Sequence, residues 1–146
     1  MVSTLLELVN VILRWLHIAS AAVLVGGLIY ARVVVIPAIR ALPEESRAAW
    51  RPAAGAGFRP LVLAGFAGLV VSGLFSFLTA PGHTLRYDLL LALKLLLAAH
   101  VITVAFILTG PDARPEREAR RPRMLAGAAL SGLAAILIAA YLRRIF

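Results

Sequence analysis

The chain contains no cysteine among its 146 residues. This excludes disulfides, thiolate metal ligands, iron–sulfur clusters and a cysteine nucleophile. Acidic residues are also scarce, with 7 Asp and Glu against 15 Lys and Arg. Charged residues make up only 15% of the chain, hydrophobic residues make up 62%, and the mean hydropathy is +0.93. A soluble domain of this size needs far more polar surface, so the composition predicts a membrane protein built as one bundle.

Four apolar segments are long enough to cross a bilayer, whose core takes about 20 helical residues. They cover about 5–30, 61–80, 85–109 and 123–143. The segments are rich in Leu and Ala and lack the alternation of strands. Helix-ending residues separate them, because Pro60 precedes the second, Pro81-Gly82 follows it and Gly110-Pro111 ends the third. The sequence therefore predicts an all-α fold, a four-helix transmembrane bundle.

Arginines cluster in two connections between the spans, at about 40–58 and 111–122, which are predicted as loops. Excess Lys and Arg beside a span marks the cytoplasmic side, so we expect both loops in the cytoplasm and both termini outside. Residues 43–51 fit a short interfacial helix with Trp50 at headgroup level. The net charge of +8 does not predict nucleic-acid binding, because the arginines flank apolar spans.

Small residues recur at every fourth position in two of the spans. The stripes are Ala64, Gly68, Ser72, Ser76 and Ala80 in the second span, and Gly127, Ser131, Ala135 and Ala139 in the fourth. Such stripes let helices approach closely in lipid. They also leave room for a flat cofactor, and close packing is the interpretation that we favour.

Two histidines, His17 and His100, lie inside the first and third spans. An ionisable side chain at membrane depth is energetically costly and usually marks a functional site. Each lies about 20 Å along its helix from the outer end, so we expect both rings at similar depth. Imidazoles from two helices at one level are what a bis-imidazole b-type haem requires, so both are candidate haem or metal ligands. The alternative is that each only makes a hydrogen bond between helices.

Further polar side chains accompany His17 on the first span. Asn10, Arg14, His17 and Ser20 share one sector of the helix. We expect this stripe to face the bundle interior, because lipid cannot satisfy polar groups. Arg14 is one candidate for binding haem propionates near the outer membrane face.

Three further candidates, Arg86, Lys94 and His83, lie toward the outer side of the third span. Arg86 is a second possible partner of haem propionates. Lys94 either snorkels to the outer interface or binds an anionic or porphyrin-carboxylate group. His83 is expected to be exposed, and a ligand role near the surface is its alternative. The sequence has no carboxylate pair within a span, no GxSxG motif and no P-loop, so no hydrolytic site is predicted.

The stretch from Trp15 to Leu28 contains Leu16-His17, an Ala-rich turn and Gly26-Gly27, and it resembles the copper-resistance protein D (CopD) family. Tyr87-Asp88 through Lys94-Leu95 is similar to a later helix of that family, which carries a lysine. The layout also resembles that of the HemJ-type protoporphyrinogen oxidases, with Leu-His in the first span and a lysine in a later one.

The chain departs from these families in two respects. The tryptophan that precedes the glycines in the CopD family is Leu24 here. The acidic-asparagine signature of the HemJ type is missing near the C-terminus.

The resemblance implies either haem redox chemistry or copper handling in a bacterial plasma membrane. Copper(I) favours thiolate and thioether ligands, whereas this chain has only Met1 and Met124 besides its histidines. We favour haem b, bound by His17 and His100, in electron transfer or in oxidation of a quinol or porphyrin, with a quinone or redox protein as partner. The alternatives are copper ion transport or copper tolerance through the same histidines, and a structural subunit of a larger membrane complex.

Overall fold

The computed structural model describes residues 2–79, 84–110 and 115–145, and these residues form helices without any strand. The elements are α1 (Val2–Tyr30), a π-helix (Ala31–Val35), α2 (Ile36–Ala41), α3 (Glu44–Thr79), α4 (Leu85–Thr109) and α5 (Pro115–Ile145). The prediction of an all-α fold is confirmed.

Four helical segments are long and apolar enough to cross a membrane. They are Thr4–Ala41, Ala53–Thr79, Leu85–Thr109 and Ala119–Arg144. Large apolar side chains cover the outside of the bundle, for example Trp15, Leu96 and Leu130, which are 67%, 69% and 68% exposed. A surface of this kind suits lipid rather than water. These features indicate a multi-pass membrane protein in contact with a bilayer, and the side on which the termini lie stays a prediction.

The helices pair as two antiparallel hairpins. The first hairpin joins α1 and α3, where Ser20 lies against Gly68 and Leu24 against Gly65. The second joins α4 and α5, which pack together extensively along their length. Contacts of α3 with α4 and of α5 with α1 close the ring, and α1 has little contact with α4. The helices that carry His17 and His100 therefore lie across the bundle from each other.

The apolar core fills the half of the bundle nearer the Arg-rich connections. Its buried members are Leu24, Leu28, Val62, Val101, Val104, Ala105, Leu125 and Ala128. His17 lies on the other side of this core, two turns before Leu24 on α1. The structure thus separates an apolar half from a half that contains polar side chains within the bundle.

Both Arg-rich connections are largely helical rather than loops. Helix α3 begins at Glu44, so residues 44–58 belong to it, and α5 begins at Pro115. Glu44 and Glu45 stabilise the first turn of α3, because acidic groups interact favourably with a helix N-terminus. Pro60 removes one backbone hydrogen bond but does not end α3. The helix is continuous on both sides of this proline, from Glu44 to Thr79.

A π-helix interrupts the first span between α1 and α2. The backbone N–H of Ile36 donates to the carbonyl of Ala31, five residues earlier. Pro37 follows at once, and a proline lacks an N–H and collides with the carbonyl four residues before it. The wider turn accommodates Pro37 while the helix continues to Ala41.

Glycines allow the close helix approach that the small-residue stripes predict. A Cβ atom at Gly68 would overlap Ser20 Oγ, and one at Gly65 would lie 2.9 Å from Leu24 Cγ. A Cβ atom at Gly132 would lie 2.5 Å from Val25 Cγ2, at the contact between α1 and α5. Of these three glycines, only Gly68 belongs to a small-residue stripe, and its contact with Ser20 fits the close packing favoured from the sequence, whereas Gly65 and Gly132 lie outside the stripes.

Gly132→Ala is expected to destabilise the bundle by about 1–3 kcal/mol, because the added methyl group overpacks the buried Val25. Gly26→Ala is the matched control, since a Cβ atom at Gly26 would have no other atom within 4 Å. The control should be neutral or slightly stabilising, because alanine favours helix over glycine. Unfolding by SDS titration in detergent micelles measures both. Equal effects of the two substitutions would contradict the packing at Gly132.

Candidate functional site

His17 is held by a buried serine on the neighbouring helix. Its Nδ1 atom lies 2.8 Å from Ser72 Oγ, and Ser72 is fully buried. The Ser72 hydroxyl donates its proton to the carbonyl of Gly68. A hydroxyl has one proton, so its oxygen accepts from His17 and Nδ1 is the donor. In the uncharged ring the lone pair therefore belongs to Nε2, for which the described residues supply no hydrogen-bond partner.

The surroundings of this ring combine small and cationic residues from three helices. A Cβ atom at Gly73 of α3 would lie 3.7 Å from His17 Cε1, so a glycine borders the ring. Ser20 is buried one turn further along α1. Lys94 of α4 is partly buried and interacts electrostatically with His17. We call His17, Ser20, Ser72 and Lys94 the His17 site, which offers an imidazole nitrogen and an ammonium group.

His100 repeats the arrangement in the second hairpin. Its Nδ1 atom lies 2.9 Å from Ser131 Oγ on α5. A Cβ atom at Gly127 would lie 3.7 Å from His100 Cε1, so a glycine borders this ring as well. His100 differs from His17 in burial, because it is exposed at the surface of the bundle. Each hairpin therefore has one histidine, one serine that holds it and one adjoining glycine.

The structure places the two histidines at different helix interfaces rather than against each other. His17 contacts α3, and His100 contacts α5. His100 lies on the face of α4 that packs against α5, and α1 has little contact with α4, so the two rings do not meet.

The polar stripe of α1 is only partly enclosed. His17 is partly buried and Ser20 is buried. Asn10 and Arg14 are exposed, so the prediction that they face the bundle interior is wrong. The physical reason is that residues 4–12 of α1 are all exposed, so the neighbouring helices do not cover the start of this helix. Arg14 lies about one turn from His17 and outside the enclosed part of the stripe.

Arg86 contacts Tyr141 at the end of the second hairpin. Its guanidinium donates to the hydroxyl of Tyr141 on α5 and lies 5.6 Å from the centre of that ring. Such a cation–π contact ties the beginning of α4 to the end of α5. Arg86 lies about two turns before Lys94, so the structure keeps it apart from the His17 site.

His83, expected to be exposed or to be a ligand near the surface, lies outside the described residues. Over the ranges 2–79, 84–110 and 115–145, no group of three or more His, Asp or Glu side chains is arranged to hold a metal ion. A site built on a single histidine and a macrocycle needs no such group.

The serines are the functional residues that sequence reasoning missed. The sequence pattern places Ser72 and Ser131 in stripes of small residues, where they explain close packing. Each is also a hydroxyl on the helix that follows a histidine-bearing span, and this pairing indicates a hydrogen bond across the hairpin. The sequence pattern also does not identify Tyr141 as the partner of Arg86.

Comparisons of the chain with models of known protein families, with curated proteins and with solved structures give no match. The resemblance to CopD and to the HemJ-type oxidases therefore stays a prediction from Leu16-His17, Gly26-Gly27 and the segment that contains Lys94.

Proposed function

We propose that this chain is a CopD-like integral membrane protein of a bacterial plasma membrane that binds haem b. His17 and His100 are two separate ligand positions, one in each hairpin. The bundle then serves electron transfer within the membrane or the oxidation of a quinol or porphyrin, with a quinone or a redox protein as partner. His17 is the better supported of the two ligands, because it lies in a partly enclosed polar site.

The observation that carries the proposal is the hydrogen bond at Nδ1 of each ring. Histidines that bind metals almost always donate their other ring N–H to a fixed acceptor, which sets the tautomer and the direction of the lone pair. Ser72 is such an acceptor for His17, because its own proton is committed to Gly68. The hydrogen bond from Nδ1 to Ser72 therefore leaves the lone pair on Nε2 and fixes the orientation of the ring, so that Nε2 can bind a metal.

The residues at the His17 site fit a haem group in two respects. The Nε2 lone pair is of the kind that binds haem iron. Lys94 supplies a positive charge for a carboxylate of the porphyrin. Bound haem supplies one-electron chemistry, and the helices supply orientation and a medium of low dielectric constant.

His100 lies at a different helix interface from His17. Since Ser131 holds His100 at the α4–α5 interface, the two histidines enter as separate ligand positions rather than as the two sides of one haem. Arg14 and Arg86 are weaker candidates for binding the haem propionates, because Arg14 is exposed and Arg86 is bound to Tyr141.

A second candidate function has its own support in the same hydrogen bonds. A histidine that bridges two helices through a serine stabilises a bundle without any cofactor. The chain would then be a structural subunit of a larger membrane complex. This candidate predicts that His17→Ala and His100→Ala leave bound cofactor and activity intact while reducing stability.

Metal analysis of the purified protein separates haem from copper. The chain is expressed with added haem precursor, purified in a neutral detergent, and analysed for iron, copper and extractable haem. The proposal predicts haem iron and no stoichiometric copper. Copper bound in place of haem, together with a change in cellular copper content on His17→Ala, would establish the copper alternative instead.

A further inference from the structure

A cavity of about 320 Å³ lies at the opposite end of the bundle from the His17 site. The end of α1, the π-helix, α2, α3, α4 and α5 all contribute to its walls. Its volume is at the small end of the range of about 300–1,000 Å³ for ligand pockets. Nothing in the proposed haem function uses this cavity.

The walls are mostly apolar and the charged lining groups are cationic. Leu28, Ile36, Phe58 and Leu108 supply aliphatic and aromatic surface. Arg40 and Arg121 also line the cavity, and no acidic residue is among its lining residues within the described ranges. Such a combination fits a molecule with a hydrocarbon part and an anionic head.

Two aromatic side chains with exposed surface line the cavity. Tyr30 and Trp50 both line the cavity, and they are 60% and 46% exposed. Tyr and Trp favour the interface between hydrocarbon and headgroups. Their position indicates that the cavity opens at headgroup level, beside the Arg-rich end of the bundle.

The backbone around Arg40 is held in a fixed shape. The guanidinium of Arg47 donates to the carbonyls of Leu42 and Arg40, at 2.7 Å and 2.9 Å. The π-helix on the other side contributes Ala31 and Val35 to the cavity wall. Interruptions of this kind are frequent at functional sites, because they displace the backbone from the regular helical path.

We propose that this cavity binds one anionic phospholipid, with an acyl chain between the helices and the phosphate beside Arg40. Basic pockets between transmembrane helices are known to bind anionic lipid head groups. Free phosphate does not account for the apolar walls, and a zwitterionic lipid does not account for a lining whose charges are all positive. The inference is independent of the haem proposal, since the His17 site contributes nothing to the cavity.

Native mass spectrometry of the full chain in neutral detergent tests this inference. Dioleoylphosphatidylglycerol is added as the anionic lipid, and dioleoylphosphatidylcholine and inorganic phosphate are the comparisons. We expect one phosphatidylglycerol to be retained in preference to phosphatidylcholine. Arg40→Gln is expected to lower the apparent affinity about fivefold, and Arg40→Lys should retain most of it, because both cations attract anionic lipid similarly.

Arg59→Gln is the matched control, because Arg59 is exposed and does not line the cavity. It should leave the retained phosphatidylglycerol unchanged. Equal retention of the two lipids, equal losses for Arg40→Gln and Arg59→Gln, or displacement of the lipid by millimolar phosphate would each overturn the assignment.

Discussion

His17→Asn is expected to abolish haem binding at the His17 site while the bundle stays folded. The asparagine amide nitrogen takes the place of Nδ1 and can donate to Ser72, whereas the ligand nitrogen Nε2 is lost. Ligand removal and helix bridging are thereby separated in one variant. The measurement is the ratio of haem to protein after purification, together with stability in an SDS titration.

His17→Ala and His100→Asn complete this experiment. His17→Ala should lose both the haem and the hydrogen bond to Ser72, so it should also be less stable than His17→Asn. His100→Asn should keep the haem at the His17 site, because the structure places His100 at another helix interface. If His17→Asn retained the full haem content, the ligand role of His17 would be excluded and the helix-bridging function would be favoured.

Ser72→Ala is expected to lower the haem affinity of the His17 site about 10- to 100-fold, the usual effect of removing a group that orients a metal ligand. Without the hydroxyl, nothing fixes Nδ1 as the protonated nitrogen, and the ring can turn. The measurement is haem titration of the apoprotein in detergent, followed by absorbance.

Ser76→Ala is the matched control for Ser72→Ala. Ser76 lies one turn further along α3, and its hydroxyl donates to the backbone carbonyl of Ser72 rather than to His17. We expect at most a small change in its haem affinity. A loss of the same size in both serine variants would point to a general loosening of α3, and the positioning role of Ser72 would be withdrawn.

The number and class of the helices could be predicted because the apolar runs are long and the bilayer sets their minimum length. Their beginnings could not. Pro60 suggests a boundary by its chemistry, yet α3 begins at Glu44 and continues through this proline at the loss of one hydrogen bond. The pairing into hairpins follows from side chains that meet across helices, such as Leu24 at Gly65, and single-helix patterns do not contain this information.

The candidate site was predictable residue by residue but not as an arrangement. The position of His17 within the membrane span follows from the count of residues along the helix. Its partners depend on how the helices rotate about their axes, which turns His17 toward Ser72 and His100 toward Ser131. The burial of Arg14 could not be predicted either. Its sector of the helical wheel follows from the sequence, but the exposure of the start of α1 depends on how far the neighbouring helices extend.

A reduced-minus-oxidised absorbance spectrum of the purified chain in detergent tests the central claim most directly. The account predicts an α-band at the position of b-type haems, weakened in His17→Asn and again in the double variant with His100→Asn. A chain that was expressed with ample haem and showed no such band, or a band unchanged in the double variant, would contradict it.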